Sequence, residues 1–397
     1  MRDAVRRLIG TGCSGEQSQS LKAIGSDHKG GRRSVHKHIG AGSAVVGAVI
    51  FFTAASASAQ SPGVEQAKAE IAKSTGVPTS IGVTEPLKSK PTGKKVYYMQ
   101  CGVLQCTDVG NQLDKVGAIL GVNVVHIDTG STPETIAAAA DRFAHDLPDG
   151  VMDPALPSSL FKSQLATLAT NKIPMVEWTV PDAVGNGIVK ILLDSNQYTL
   201  NGRLLADWVV VDSSANAKTA FFNVPNFPVL KIMEQAYQTR LAELCPSCTY
   251  TGIDVQATDI GKSLPDRVVS YVQQHPDTNY ILLSFGSMVL GVPEALKEAG
   301  LDGHVKLVSQ AGLNLNFNYI AKGQQAVDMT LSHLDLAYAA MDVMARVWNG
   351  QDVSRISSIL PTIFLTKDNL NFDPSSNTTW PMPETLQQQY KTLWGVK

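Results

Sequence analysis

Charge is sparse in this chain and nearly cancels. Charged residues make up 17% of it, and the formal net charge is −2. That balance argues against nucleic acid or an acidic polymer as partner, since such partners recruit a basic surface. The common catalytic signatures are missing too. There is no Gly-x-Ser-x-Gly elbow and no His-Glu-x-x-His, and the Asp and Glu residues are scattered over helix surfaces. The reading is therefore of a protein that is not an enzyme, with no catalytic residues, no metal ligands and no cofactor. No glycine-rich phosphate loop follows the first strand. After Met99 the chain continues Gln100-Cys101-Gly102-Val103-Leu104, which argues against a dinucleotide. A helix-turn-helix is absent as well. Only one long apolar run occurs, Ile39 to Ala55.

That run follows Arg32, Arg33 and Lys37 and ends in Ala57-Ser58-Ala59. A positive flank, a short apolar core and an Ala-x-Ala site make residues 1–59 a secretory signal peptide with a long n-region. A membrane anchor is the competing reading, but the run is short of the ~20 residues a span needs. No Cys follows the cleavage point, so a lipid anchor there is not supported. The expected location is exported, periplasmic or at the cell envelope. Residues 60–93 are polar and rich in Pro, Gly, Ser and Lys around one helical stretch, Val64 to Lys73, and read as a linker.

Of the five cysteines, four remain after processing, in two close pairs: Cys101 with Cys106 and Cys245 with Cys248. In an oxidising compartment such pairs read as structural disulfides. Cys245-Pro246-Ser247-Cys248 also has thioredoxin-like spacing. A redox thiolate needs a helix N-terminus, and this pair follows a helical pattern and precedes a strand.

From Lys95 onward, short apolar strands alternate with amphipathic helices, the mark of βαβ units and a parallel sheet. Strands are expected at Val96–Met99, Val122–Ile127, Gly150–Met152 and Ile173–Trp178. The alternation pauses near Ile188–Leu193 and restarts at Leu200, giving a second series that runs to Leu331. The fold class is thus α/β, with two doubly wound parallel-sheet lobes.

Several segments, taken in order, resemble the type I periplasmic binding proteins of the ribose- and galactose-binding branch. They are Lys172-Ile173-Pro174-Met175-Val176, Asp194-Ser195-Asn196 followed by Gly202-Arg203-Leu204-Leu205-Ala206, Gln274-His275-Pro276-Asp277, Met288-Val289-Leu290-Gly291-Val292 and Trp348-Asn349-Gly350-Gln351. The resemblance implies a three-strand hinge, near Leu193–Asn196, at Ser332–His333 and after Val353. The N-terminal lobe would hold 94–195 plus 333–358, and the C-terminal lobe 196–332 plus 359–397. It also implies a monomer that takes a small-molecule ligand between the lobes and meets the permease of an ABC transporter.

The chain departs from the pattern where sugar binders carry charge. Glu177-Trp178-Thr179-Val180 stands in place of an Asp-Arg pair, Phe285-Gly286 in place of Asn-Asp, and Gln310-Ala311 in place of an Asp. A sugar hydroxyl buried without a partner costs ~1–3 kcal/mol. The expected ligand is therefore less polar than a simple sugar, an aromatic or amphipathic carbon source. Trp178, Phe227 and Phe285 would offer apolar faces, while Gln100, Gln105, Gln310 and His333 would orient the ligand beside Val103 and Leu104. The bland alternatives are that Trp178 is core, that Phe227 packs on its own Pro-flanked loop, and that His333 only bonds backbone. A sensory receptor of the same fold and a sugar binder with an atypical site also stay open.

Overall fold

The computed structural model describes residues 61–396 apart from Ser131. The export segment expected at 1–59 lies outside them. Helix α1 (Pro62–Ser74) begins with Pro62, whose missing N–H costs nothing at a helix start, and Ser61 Oγ accepts from the Val64 N–H. A first series follows: β1 (Lys95–Gln100), α2 (Leu104–Leu120), β2 (Asn123–Asp128), α3 (Pro133–Asp146), β3 (Gly150–Pro154), α4 (Lys162–Thr170), β4 (Met175–Trp178) and β5 (Ile188–Leu192). A second series runs α5 (Ser195–Asp212), β6 (Lys218–Asn223), α6 (Pro228–Leu244), β7 (Thr249–Asp254), α7 (Leu264–Gln274), β8 (Tyr280–Leu283), α8 (Val292–Glu298), β9 (Lys306–Gln310), α9 (Asn314–Ala321) and β10 (Val327–Thr330). The chain closes with α10 (His333–Trp348), β11 (Ile363–Leu365) and α11 (Glu384–Leu393).

Each series makes its own sheet. The first has the order β2-β1-β3-β4-β5, all parallel. The second repeats the winding as β7-β6-β8-β9-β10 and adds β11 antiparallel at the edge. In both sheets the strand order reverses beside the first strand, between β1 and β3 and between β6 and β8. Strand residues alternate between faces. Tyr98, Met152 and Val176 join α2 and α10 on one face of the first sheet, while Tyr97, Val151 and Met175 join α3 and α4 on the other. Strands buried on both faces account for the unbroken apolar runs in the sequence.

Three passages of the chain link the two sheets. They lie after β5 at Leu193–Asp194, after β10 at Leu331–Ser332, and between α10 and β11. The first and third crossings are tied together: the Leu193 N–H donates to the Ser358 carbonyl at 2.6 Å, the Lys190 ammonium to the Ile356 carbonyl, and the Leu360 N–H to Gln197 Oε1 at 2.9 Å.

Two stretches depart from expectation. The described part of residues 60–93, read as a linker, packs closely against the rest of the chain. Helix α1 lies on α5 and α6 with Val64 and Ala67 buried. Gly63 is in so close that an added Cβ would stand 2.0 Å from the Leu244 carbonyl oxygen. The stretch after α1 runs back along the first series: the Leu87 N–H donates to the Leu393 carbonyl, the Lys88 N–H to Gln351, and Arg346 to the Glu85 carbonyl. The tail, assigned wholly to the second lobe, also divides. Trp380 packs with Phe317 and Ile363 there, but α11 returns to α10, where Tyr390 and Trp394 stack on Tyr338 and Trp394 Nε1 donates to Asp342. The lobes are thus joined by two peripheral straps in addition to the three hinge passages.

The cysteine pairs form disulfides, Cys101–Cys106 and Cys245–Cys248, with Cα separations of 5.5 and 5.3 Å. Cys245 caps the C-terminus of α6. At that end the helix dipole is negative and does not stabilise a thiolate, so the geometry supports the staple reading.

Candidate ligand-binding site

In parallel sheets ligands collect outside the carboxyl ends of the strands, where the order reverses. Here the two sheets turn those ends toward each other around a cavity of about 80 Å³. Val103 reaches it from the loop after β1, Gln105 from the first turn of α2, and Pro154 and Ala155 from the end of β3. Phe227 comes from the loop after β6, and Phe285 from the end of β8.

The backbone around the cavity is held in unusual conformations. Ala155, Thr179, Leu193 and Ala311, each at or just beyond a strand end, have φ of 65°, 63°, 48° and 54°, and all four line the cavity. Non-glycine residues adopt such angles only where the surroundings impose them, and such strain clusters at functional sites.

Aromatic rings form the walls. Trp178 is 2% exposed and stacks on Tyr98 with centroids 6.0 Å apart and planes within 10°. It serves as core on one face and as wall on the other. Phe227 and Phe285 meet edge to face at 6.0 Å.

The polar side chains are mostly engaged with one another. Gln197 Nε2 donates to Asn201 Oδ1 at 2.8 Å, Asn201 Nδ2 to Gln310 Oε1 at 3.5 Å, and Gln310 Nε2 to the Ser284 carbonyl at 3.0 Å. Gln105 spans the mouth of the cleft. Its Nε2 donates to the Ala311 carbonyl at 3.1 Å and its Oε1 accepts from Ser287 Oγ at 2.8 Å, both in the second lobe. The Cys101–Cys106 bridge braces the turn that carries it. His333 starts α10, is 3% exposed, and shares a 2.8 Å hydrogen bond from Nδ1 to Asp108 Oδ2. Burial by itself would raise the Asp108 carboxyl. The contact with His333, helped by Thr378 and Gln112, outweighs that and holds it below the usual carboxylate range. Tyr198 also lines the cavity, and burial raises its hydroxyl above the ordinary phenol range. Among the described residues no Lys, Arg, Asp or Glu lines the cavity.

Seven of the nine residues expected in the cleft line it: Val103, Gln105, Trp178, Phe227, Phe285, Gln310 and His333. Two do not. The Gln100 side chain turns to His126, with Oε1 2.9 Å from Nδ1, because Gln100 still belongs to β1 and falls on the α2 side of the sheet. Leu104 opens α2, is 48% exposed, and faces a separate surface recess with Ile260 and Leu290. Sequence reasoning missed Gln197, Tyr198 and Asn201. They stand on the first two turns of α5, around the Leu200 where the apolar period only begins to show. It also missed Asp108, whose role exists only through His333.

Glu177 precedes Trp178 on β4 and so points to the other face. There it lies beside Asp153, its cross-strand partner, and its two carboxyl oxygens have no hydrogen-bond partner among the described residues. Burial and the neighbouring Asp182 push Glu177 up to about 8. Burial, Glu177 and Asp182 push Asp153 well above the carboxylate range. Among the described residues no group of three or more His, Cys, Asp or Glu is placed to hold a metal ion, and no helix is long and apolar enough to cross a membrane.

A family model described as "Periplasmic binding protein domain" matches residues 105–352, more than half of the chain. The chain belongs to that family. The periplasmic binding proteins are solute-binding proteins of the ABC importer type. Solved structures share the fold at low identity. A 5-methylthioribose transporter solute-binding protein from Thermotoga lettingae is 15% identical with a TM-score of 0.65, covering 78% of this chain and 100% of its own. An ABC sugar transporter subunit from Rhodobacter sphaeroides is 18% identical with a TM-score of 0.61, covering 70% and 99%. A putative LacI transcriptional regulator from Bacteroides fragilis is 14% identical with a TM-score of 0.60, covering 70% and 99%. A comparison with curated protein sequences found no match.

Proposed function

We propose that this periplasmic binding protein is an exported monomeric receptor that closes on a small, mainly apolar solute and hands it, chemically unaltered, to an ABC permease. One observation carries the ligand class. The walls are aromatic and aliphatic, and the amides that reach the cavity already bond to one another or to backbone. A polyol entering this space would leave hydroxyls unpaired, at ~1–3 kcal/mol each. An apolar body gains ~25 cal/mol for each Å² it removes from water. That the Thermotoga lettingae protein takes 5-methylthioribose, a sugar bearing a methylthio group, supports a partly apolar solute on this fold.

The mechanism is a shift of populations. Ligand contacts from both lobes favour the closed form, in which Gln105 bridges the mouth, and the permease takes that form. A thermal-shift panel of simple sugars, aromatic acids and branched-chain acids tests the proposal. Ligands that bind only the folded state raise its melting temperature by mass action. The expected result is stabilisation by compounds with apolar bodies. Stabilisation by simple sugars alone would overturn the ligand class.

A further inference from the structure

The polar accounting of the cavity can be carried one step further, resting on the reading of the cleft as a solute site. His333 Nδ1 faces Asp108 at 2.8 Å. An ionised carboxylate accepts and cannot donate, so Nδ1 carries the hydrogen. The other ring nitrogen, Nε2, has no hydrogen-bond partner among the described residues, although the side chain is almost wholly buried and lines the cavity. Three helices also begin at this space. Val103 caps α2, Phe227 caps α6, and His333 is the first residue of α10; all three line the cavity. Neither Val103 nor Phe227 supplies a side-chain acceptor to the orphan N–H groups behind it. Each helix start carries about half a positive charge. Among the described residues no acidic side chain lines the cavity to answer it, and Asp108 is committed to His333.

We infer that the solute carries one negative charge, as a small carboxylate on an aromatic or branched apolar body, and that His333, held by Asp108, is the group that reads it. With the carboxylate bound, the ring donates from both nitrogens, Nδ1 to Asp108 and Nε2 to the solute. Asp108 touches His333 and not the solute; it is a positioning residue. The apolar walls take the rest of the molecule.

Two acid–amide pairs test this, benzoate with benzamide and 3-methylbutanoate with its amide, each titrated calorimetrically into the whole protein. The pairs match in shape and differ in charge. In at least one pair the acid should bind about tenfold or more tighter than the amide. In Asp108→Asn and His333→Gln that ratio should fall to about twofold or less, with the ligand-free melting curve showing a folded protein. A purely structural role for Asp108 would weaken acid and amide alike and leave the ratio unchanged, which overturns its assignment. Amides that match or exceed their acids in the wild type overturn the inference, and this comparison decides even if a variant does not fold. Binding of sugars but neither acid also overturns it while leaving the solute-binding reading intact. Failure of every sugar, acid and amide to bind would instead remove that reading.

Discussion

Glu177→Gln should stabilise the protein at neutral and alkaline pH. Glu177 lies behind the cleft wall, fully buried beside Asp153, and its carboxyl has no hydrogen-bond partner among the described residues. In the unfolded chain a Glu titrates near ~4.3, whereas burial and Asp182 raise it to about 8 in the folded state. The folded form therefore holds its proton where the unfolded form has lost it. The relative stability this gives is intact below the unfolded pKa and is lost progressively as pH rises from about 4.5 to about 8, above which no more is lost. At about 1.4 kcal/mol per pKa unit the full loss is ~5 kcal/mol. Gln keeps the shape and cannot ionise. Asp153 remains and retains its own burial cost, so a gain of ~2–5 kcal/mol at pH 8 is expected. For a chain of this size that is a rise of roughly 3–7 °C in melting temperature. Melting curves of the two proteins from pH 4.5 to 8.5 should converge at the acid end and separate toward the alkaline end. A constant offset, or a variant less stable at pH 8, would refute the reasoning.

Phe227→Ala removes a half-buried ring from the cavity wall and should weaken solute binding by ~1–3 kcal/mol with little loss of stability; titration beside a melting curve checks it. Gln105→Ala removes both hydrogen bonds across the cleft mouth. At ~0.5–1.5 kcal/mol each, the closed form should lose ~1–3 kcal/mol, seen as a larger radius of gyration without ligand. Gly63→Val drives a side chain into the Leu244 carbonyl and should lift α1 from α5 and α6, at ~1–3 kcal/mol of stability. Faster proteolysis ahead of β1 would report it.

How much of this was legible in the sequence depended on whether the signal was local. The strand Ile173–Trp178 and the alternation around it placed β4 and its neighbours, because a strand buried on both faces is written as a continuous apolar run. The first turn of α2 escaped notice, since Leu104, Gln105 and Cys106 read as the end of a disulfide loop and their helical period shows only from Gly110. Helix α9 shows little amphipathic contrast in the sequence and was missed; α11 has a clear apolar face but was left in the tail because the helix it packs on is distant in the chain. For the same reason Trp394 was assigned to the wrong lobe; its partner Tyr338 lies far away along the chain. At the site, the aromatic walls could be inferred from strand ends. The amide chain through Gln197, Asn201 and Gln310 could not, because its hydrogen bonds join α5 to β9 only once the lobe is folded. Glu177 was read with its neighbour Trp178, and strand alternation sends the two to opposite faces.

Small-angle X-ray scattering of the ligand-free protein, and of the protein saturated with whichever solute raises its melting temperature, tests the central claim most directly. Two hinged lobes that trap a guest should give a smaller radius of gyration with solute than without it. Identical curves for a solute that demonstrably binds would contradict closure between the lobes.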